Sequence, residues 1–171
     1  MGGIFHKQEG TEQEKPVPTI EIVYVDVSPE ELKEITKFYN EHFPLSPRSE
    51  KSKEKYYRNA SASPINMVMR AEGEITGLLE SADAIVDGRK VRLLQTIAIS
   101  TEQQGKGLGK SLFEEFKGKI GPGEEVIVHF RDSKKEDLEK FYRALGFSGL
   151  KAVGKYKNGE TKWEMNFISP D

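Results

Sequence analysis

From Thr19 to Val27 apolar residues recur at every second position, with Ile20, Ile22 and Tyr24 sharing one side, so the segment predicts a strand. Ser28-Pro29-Glu30-Glu31 follows with the letters of a helix start: a serine cap, a proline at the first helical position and a glutamate that completes a capping box. Leu32, Ile35 and Tyr39 then repeat at helical spacing, and Phe43-Pro44-Leu45-Ser46-Pro47 ends the run. Ser49 to Asn59, rich in Lys and Glu and weakly patterned, fits either a short second helix or a mobile segment. Ile65 to Arg70, Ile75 to Val86 and Lys90 to Ile99 predict three consecutive antiparallel strands, with turns at Glu72-Gly73 and Asp87-Gly88. Gly105 to Gly109 leads into a helix carrying Leu108, Leu112, Phe113 and Phe116, stopped by Gly121-Pro122-Gly123. Val126-Ile127-Val128 has the unbroken apolar character of a strand covered on both faces, and the helix between it and Ile99 predicts that these two strands run parallel. Ser133 to Glu136 offers a second capping box, after which Leu138, Phe141, Tyr142 and Leu145 keep helical spacing up to a Gly146 cap. A last hairpin, Lys151 to Tyr156 and Thr161 to Ile168, turns at Asn158-Gly159.

The 171 residues suit one domain, taken as 19–171, after a polar, Gly-bearing stretch from Met1 to Pro18 that reads as a flexible arm. Lys and Arg number 26 against 28 Asp and Glu, so no global basic field favours nucleic acid, and a polyanion would have to be held locally. No cysteine is present, which removes disulfides, thiolate metal sites and a cysteine nucleophile, and three scattered His show no metal-ligand spacing. No window approaches the 18 apolar residues of a membrane span, so the chain is expected to be soluble, with the cytoplasm as the default compartment and no membrane partner.

Gln104-Gly105-Lys106-Gly107-Leu108-Gly109-Lys110-Ser111 is the segment densest in chemistry. Its glycines let the backbone approach a ligand, its N–H groups lead into a helix start, and Lys106 and Lys110 add local positive charge, a combination suited to phosphate oxygens. A Walker A loop needs glycine where Gln104 stands, and a dinucleotide fingerprint needs glycine where Lys110 stands, so both of those readings fail. What fits is Gln104-x-x-Gly107-x-Gly109 directly after the strand Ile97-Ala98-Ile99, followed by Phe141-Tyr142-Arg143-Ala144-Leu145-Gly146-Phe147. This resembles the GNAT superfamily of acyl-CoA N-acyltransferases over roughly Thr19 to Ile168.

The resemblance implies a single α/β (α+β) domain: a mixed, mostly antiparallel sheet with one splayed parallel pair, and helices on both faces. It implies acetyl transfer from acetyl-CoA, as acyl donor substrate and without a metal, to a primary amine by direct attack in a ternary complex. Gln104, Gly105, Lys106, Gly107, Leu108, Gly109 and Lys110 would wrap the coenzyme pyrophosphate, and Ile97, Ala98 and Ile99 would pair with its pantetheine arm. Tyr142 matches the family tyrosine that protonates the departing thiolate. Many members carry Asn where Lys135 stands; Lys135 could instead meet a phosphate.

The family base sits on the strand before the glycine loop, where this chain has Leu93 and Gln95. Gln95 could orient a relaying water, and Glu80, Asp83 or His129 could accept the proton, with Glu80 the chosen candidate. The resemblance implies that the first helix, the loop after it and the last hairpin choose the acceptor, a small-molecule or peptide amine; here they carry Tyr39, Phe43, Tyr56, Tyr57 and Trp163. The chain would act as a monomer or homodimer. The missing base motivates an alternative, a non-catalytic CoA-binding or regulatory module on the same fold.

Overall fold

The structure, a computed structural model, describes residues 19–59 and 62–170; the expected arm of residues 1–18 lies outside the described residues. In chain order the elements are β1 (Ile20–Tyr24), α1 (Pro29–His42), α2 (Glu50–Tyr57), β2 (Ile65–Ala71), β3 (Glu74–Val86), β4 (Arg89–Ile99), α3 (Leu108–Lys117), β5 (Glu125–Arg131), α4 (Lys135–Ala144), β6 (Ser148–Lys155) and β7 (Thr161–Ile168). Short 3-10 turns at Thr101–Gln103 and Asp132–Lys134 precede α3 and α4.

Two tight turns fix the first half of the sheet. Glu72-Gly73 and Asp87-Gly88 each place both central residues at positive φ (52° and 85°, 50° and 75°), as a type I′ hairpin requires, so β2, β3 and β4 follow one another antiparallel. The seven strands lie in the order β1-β2-β3-β4-β5-β7-β6, and β4 with β5 is the one parallel pair. The predicted mixed sheet is therefore the observed one. Alternation along each strand divides the core between its two faces. Met67, Met69 and Leu79 face Leu112, Phe113 and Phe116 of α3. Val68 and Leu78 face Leu32, Ile35 and Phe38 of α1 and Tyr57 of α2.

Helix starts show where local rules held. Ser28 accepts from the Glu31 amide at 3.3 Å, and the Glu31 carboxylate reaches back to the Asp26 amide at 2.7 Å. The second expected capping box does not form: Lys134, not Ser133, precedes α4, and no side chain caps it. The Ser133 amide donates to Glu160 Oε1 at 3.3 Å, and the Trp163 indole donates to Asp132 at 2.8 Å. Tertiary partners from β7 and its leading turn hold this loop in place of a cap. The Lys/Glu stretch resolves to α2, capped by Ser49.

Candidate active site

The site begins with a mismatch of strand lengths. Parallel pairing of β4 with β5 covers Arg92↔Val126, Leu93↔Ile127 and Leu94↔Val128, and then stops, although β4 runs on to Ile99 and β5 to Arg131. At the same place β4 carries a bulge, because Glu80 opposes Thr96 and Ser81 opposes Leu94, leaving Gln95 as the extra residue. Beyond Leu94 the strands part, and the edge of β4 toward β5 is free to bond something else.

On one side of this parting lies a cleft of about 600 Å³, lined by Ile97, Ala98, Ile99, Gln103, Gln104, Gly105, Gly107, Leu108, Gly109 and Lys110, with Leu138, Phe141 and Leu145 of α4 opposite and His42 and Phe43 at the end of α1. The glycines have separate jobs. Gly107 is the residue before α3 and sits at φ 77°, Gly105 sits at φ 76°, and no atom lies within 4 Å of where a Cβ would stand on either, so the backbone is open to a ligand. A Cβ on Gly109 would come within 3.2 Å of the Phe141 ring, so here glycine lets α3 close on α4. Gln104 donates through its side-chain amide to the Ile99 carbonyl at 3.0 Å and ties the loop to the strand.

Two expected contributors lie elsewhere. Lys106 does not line the cleft; its ammonium donates to Gln103 at 2.9 Å. Lys135, one turn before Leu138, does not line the cleft either; its ammonium lies 3.5 Å from Glu139 and 4.7 Å from the centre of the Trp163 ring.

On the other side of the parting is a cavity of about 450 Å³, lined by Tyr39, Arg48, Ser52, Lys53, Tyr56, Glu80, Leu93, Leu94, Gln95, Thr96, His129 and Tyr156. Glu80, 2% exposed, is an interior carboxylate. Its Oε1 accepts from Lys53 at 2.5 Å and from the Tyr57 hydroxyl. Burial pushes the Lys53 amine below the usual lysine range, against the pull of Glu80, and Arg48 adds to the downward shift. Burial also pushes the Tyr57 phenol up, and Glu80 reinforces it. Asp83, the other β3 carboxylate, is paired with Arg92 at 2.8 Å and Lys90 at 3.2 Å, and does not line the cavity.

His129 enters from β5. Its Nε2 lies 2.8 Å from Glu164 of β7, whose second oxygen takes the Lys151 ammonium of β6 at 2.9 Å. Burial alone would raise the Glu164 carboxyl, but the bonds from His129 and Lys151 outweigh it and hold the group below the usual carboxylate range. Glu164, Lys53 and Arg48 were not foreseen as site residues. Only the β5–β7 register reveals the first, and in a Lys/Glu-rich stretch no letter distinguishes the one lysine that turns inward.

Tyr142 lines neither cavity. It is buried on the α3–α4 face of the sheet, stacked on Phe130 at 5.7 Å and edge-on to Phe141 and Phe147 at 5.3 Å. Among the described residues its hydroxyl has no hydrogen-bond partner, and burial, with Tyr156 adding, pushes its pKa up. The phenol keeps its proton. No group of three or more metal-ligating side chains occurs among the described residues.

A splayed parallel pair, a glycine loop opening a helix at its mouth, and a second cavity across the strand tip meet at the end of β4. The profile described as "Acetyltransferase (GNAT) domain" matches residues 25–168, and the chain belongs to that family. Its fold is similar to those of Ard1 from Thermoplasma volcanium (16% identity, 89% of this chain and 99% of that one, TM-score 0.69) and an aminoglycoside 6′-N-acetyltransferase complexed with coenzyme A (12%, 88% and 98%, 0.70). It is also similar to that of Arabidopsis thaliana Naa50 in complex with a bisubstrate analogue (16%, 86% and 97%, 0.64). Among curated proteins none matches the sequence.

Proposed function

We propose that the protein transfers an acetyl group from acetyl-CoA to a primary amine by direct attack within a ternary complex. The observation that carries this reading is the parting of β4 and β5 after Leu94↔Val128, with the glycine-loop cleft on one side and the Glu80–His129 cavity on the other. Diphosphate oxygens fit the amides of Gly105 to Lys110 at the start of α3. The pantetheine amides fit the free edge of Ile97 to Ile99, as a peptide adds to a sheet edge. A thioester at the strand tip then has its carbonyl beside β4 amides, which can hold the developing oxyanion.

The amine enters from the Glu80 side. Its lone pair forms the N–C bond, the C–S pair leaves with sulfur, and Tyr142 is the proposed source of the proton that sulfur gains. Glu80 is proposed to orient the neutral acceptor amine by accepting a hydrogen bond on the oxygen that Lys53 and Tyr57 leave free. Naa50 with its bisubstrate analogue and an aminoglycoside 6′-N-acetyltransferase share this fold, which makes peptide and aminoglycoside amines both worth presenting.

The test has two readouts. Calorimetry should show acetyl-CoA binding to the folded protein, and thiol release should follow with at least one of peptide N-termini, lysines, polyamines, aminoglycosides or amino acids. Absence of acetyl-CoA binding would sink the reading. Binding without turnover on any amine would favour a coenzyme-binding module, which Leu93 and Gln95, at the positions where the family carries its base, already suggest as the second reading.

A further inference from the structure

Resting on the transferase reading, we infer that His129 is the catalytic base that takes the acceptor's proton, with Glu164 as the residue that positions it. Continuing the parallel register by one step past Leu94↔Val128 would set His129 opposite Gln95, which is where pairing ends. His129 is therefore the first β5 residue beyond the parting, and it lines the acceptor cavity. Along β5, Val126, Val128 and Phe130 pack into the α3–α4 core, so Ile127 and His129 face the other way, and His129 reaches the cavity. The Tyr142 ring stacks on Phe130, the residue after His129. His129 and Tyr142 thus lie on opposite faces of the sheet, His129 in the wall of the cavity and Tyr142 in the α3–α4 core.

Chemistry at the ring selects the nitrogen. Glu164 is a carboxylate, which can only accept, so the Nε2 that faces it carries hydrogen and Nδ1 is the bare basic nitrogen. Nδ1 has no partner among the described residues. When His129 accepts a proton, the ring cation is stabilised by Glu164, which is itself fixed by Lys151. As the N–C bond forms, Nδ1 takes one proton from the amine; the C–S bond breaks, Tyr142 gives one proton to sulfur, and the His129 proton returns to the phenolate through solvent. One proton leaves the nitrogen and one arrives at sulfur, so no co-reactant is needed.

Glu80 is the less suitable base because Lys53 and Tyr57 both donate to it and the ion pair neutralises its charge. The charged and titratable groups that bond His129, line its cavity or lie on its strand are Glu164 of β7, Lys151 of β6, Arg131 of its own strand, Glu80 of β3, Tyr39 of α1, Lys53 and Tyr56 of α2, Arg48 before α2 and Tyr156 of the last turn.

The experiment compares wild type, His129→Gln, Glu164→Gln and Glu80→Gln with acetyl-CoA and the amine of highest wild-type turnover from the panel above, following kcat against pH. His129→Gln should lower kcat at pH 7 by about 100-fold or more, abolish the acidic limb of the profile and leave acetyl-CoA affinity within about twofold. Glu164→Gln should shift that limb and cost less. Should Glu164→Gln fail to fold, His129→Gln alone decides. A His129→Gln enzyme within about threefold of wild type with its acidic limb intact overturns the assignment, as does loss of that limb only in Glu80→Gln. A wild-type protein that binds acetyl-CoA but acetylates no amine overturns the transferase reading and this assignment together, whereas wild-type turnover with an unaffected variant overturns the assignment alone.

Discussion

The two cavities that flank the tip of β4 are made of different material. The proposed coenzyme cleft is walled largely by main chain and apolar side chains: the Ile97–Ile99 edge, the glycine loop, Leu138 and Phe141. The proposed acceptor cavity is walled by polar side chains held by partners: Glu80 by its neighbour Lys53 and by Tyr57 behind it, and His129 by Glu164 behind it. A site of amides recognises what every coenzyme molecule shares, and its geometry comes with the fold. A site of paired charges can be retuned residue by residue while the strands stay in place, which suits the partner that differs from one family member to the next.

The largest effect should come from the residue that belongs to neither wall. Tyr142→Phe is expected to lower kcat by about 100-fold or more, with acetyl-CoA affinity nearly unchanged. Because the hydroxyl has no protein partner among the described residues, its removal should cost little stability. Steady-state kinetics beside thermal unfolding test this. If kcat, affinity and melting temperature fall together, Tyr142 is a packing residue and the acid lies elsewhere.

Next in size is the acceptor wall. Glu80→Leu leaves the Lys53 amine buried without its partner, and breaking one side of a buried pair costs about 3–5 kcal/mol. The double variant Lys53→Met/Glu80→Leu should recover most of that loss, since a buried pair is often replaceable by apolar residues of similar size. Urea unfolding of both singles and the double gives the coupling energy. A double variant as unstable as Glu80→Leu would mean that Glu80 supports the sheet through some contact other than Lys53.

That contrast explains what the sequence could disclose. Gly105 and Gly107 were readable because positive φ restricts the letters that fit, and the turns Glu72-Gly73 and Asp87-Gly88 were readable for the same reason. Glu80 was placed on its strand by alternation, yet its burial and its ion pair depend on how α2 docks, and α2 announces itself only weakly. Glu164 lies on the last strand, 35 residues after His129, and only strand order β5-β7-β6 brings the two together. Ser133 shows the converse: its letters spell a cap, and the distant Glu160 takes its amide instead. Local chemistry was legible where one residue decides its own backbone. It was illegible where two distant residues decide each other.

On the coenzyme side the expected effects are smaller and fall on affinity. Gly107→Ala forces a Cβ into the left-handed region at φ 77°, at a cost of about 1–2 kcal/mol, although the space around it is empty. The loss should appear in the melting temperature and as weaker acetyl-CoA binding, with kcat at saturation changed far less. Retained affinity with a lowered melting temperature would show that the loop's shape supports α3 and not the ligand.

The smallest effect separates the two loop lysines. Lys110 lines the cleft, whereas Lys106 leans on Gln103. An exposed charge facing an anion is screened by water and salt, so Lys110→Ala should weaken acetyl-CoA binding by about two- to fivefold at low salt, and less as ionic strength rises. Lys106→Ala should leave it unchanged within error. Calorimetric titration at two salt concentrations tests both. Equal losses for the two variants would mean that the loop's positive field acts as a whole, and the coenzyme side would then share the side-chain character that distinguishes the acceptor side.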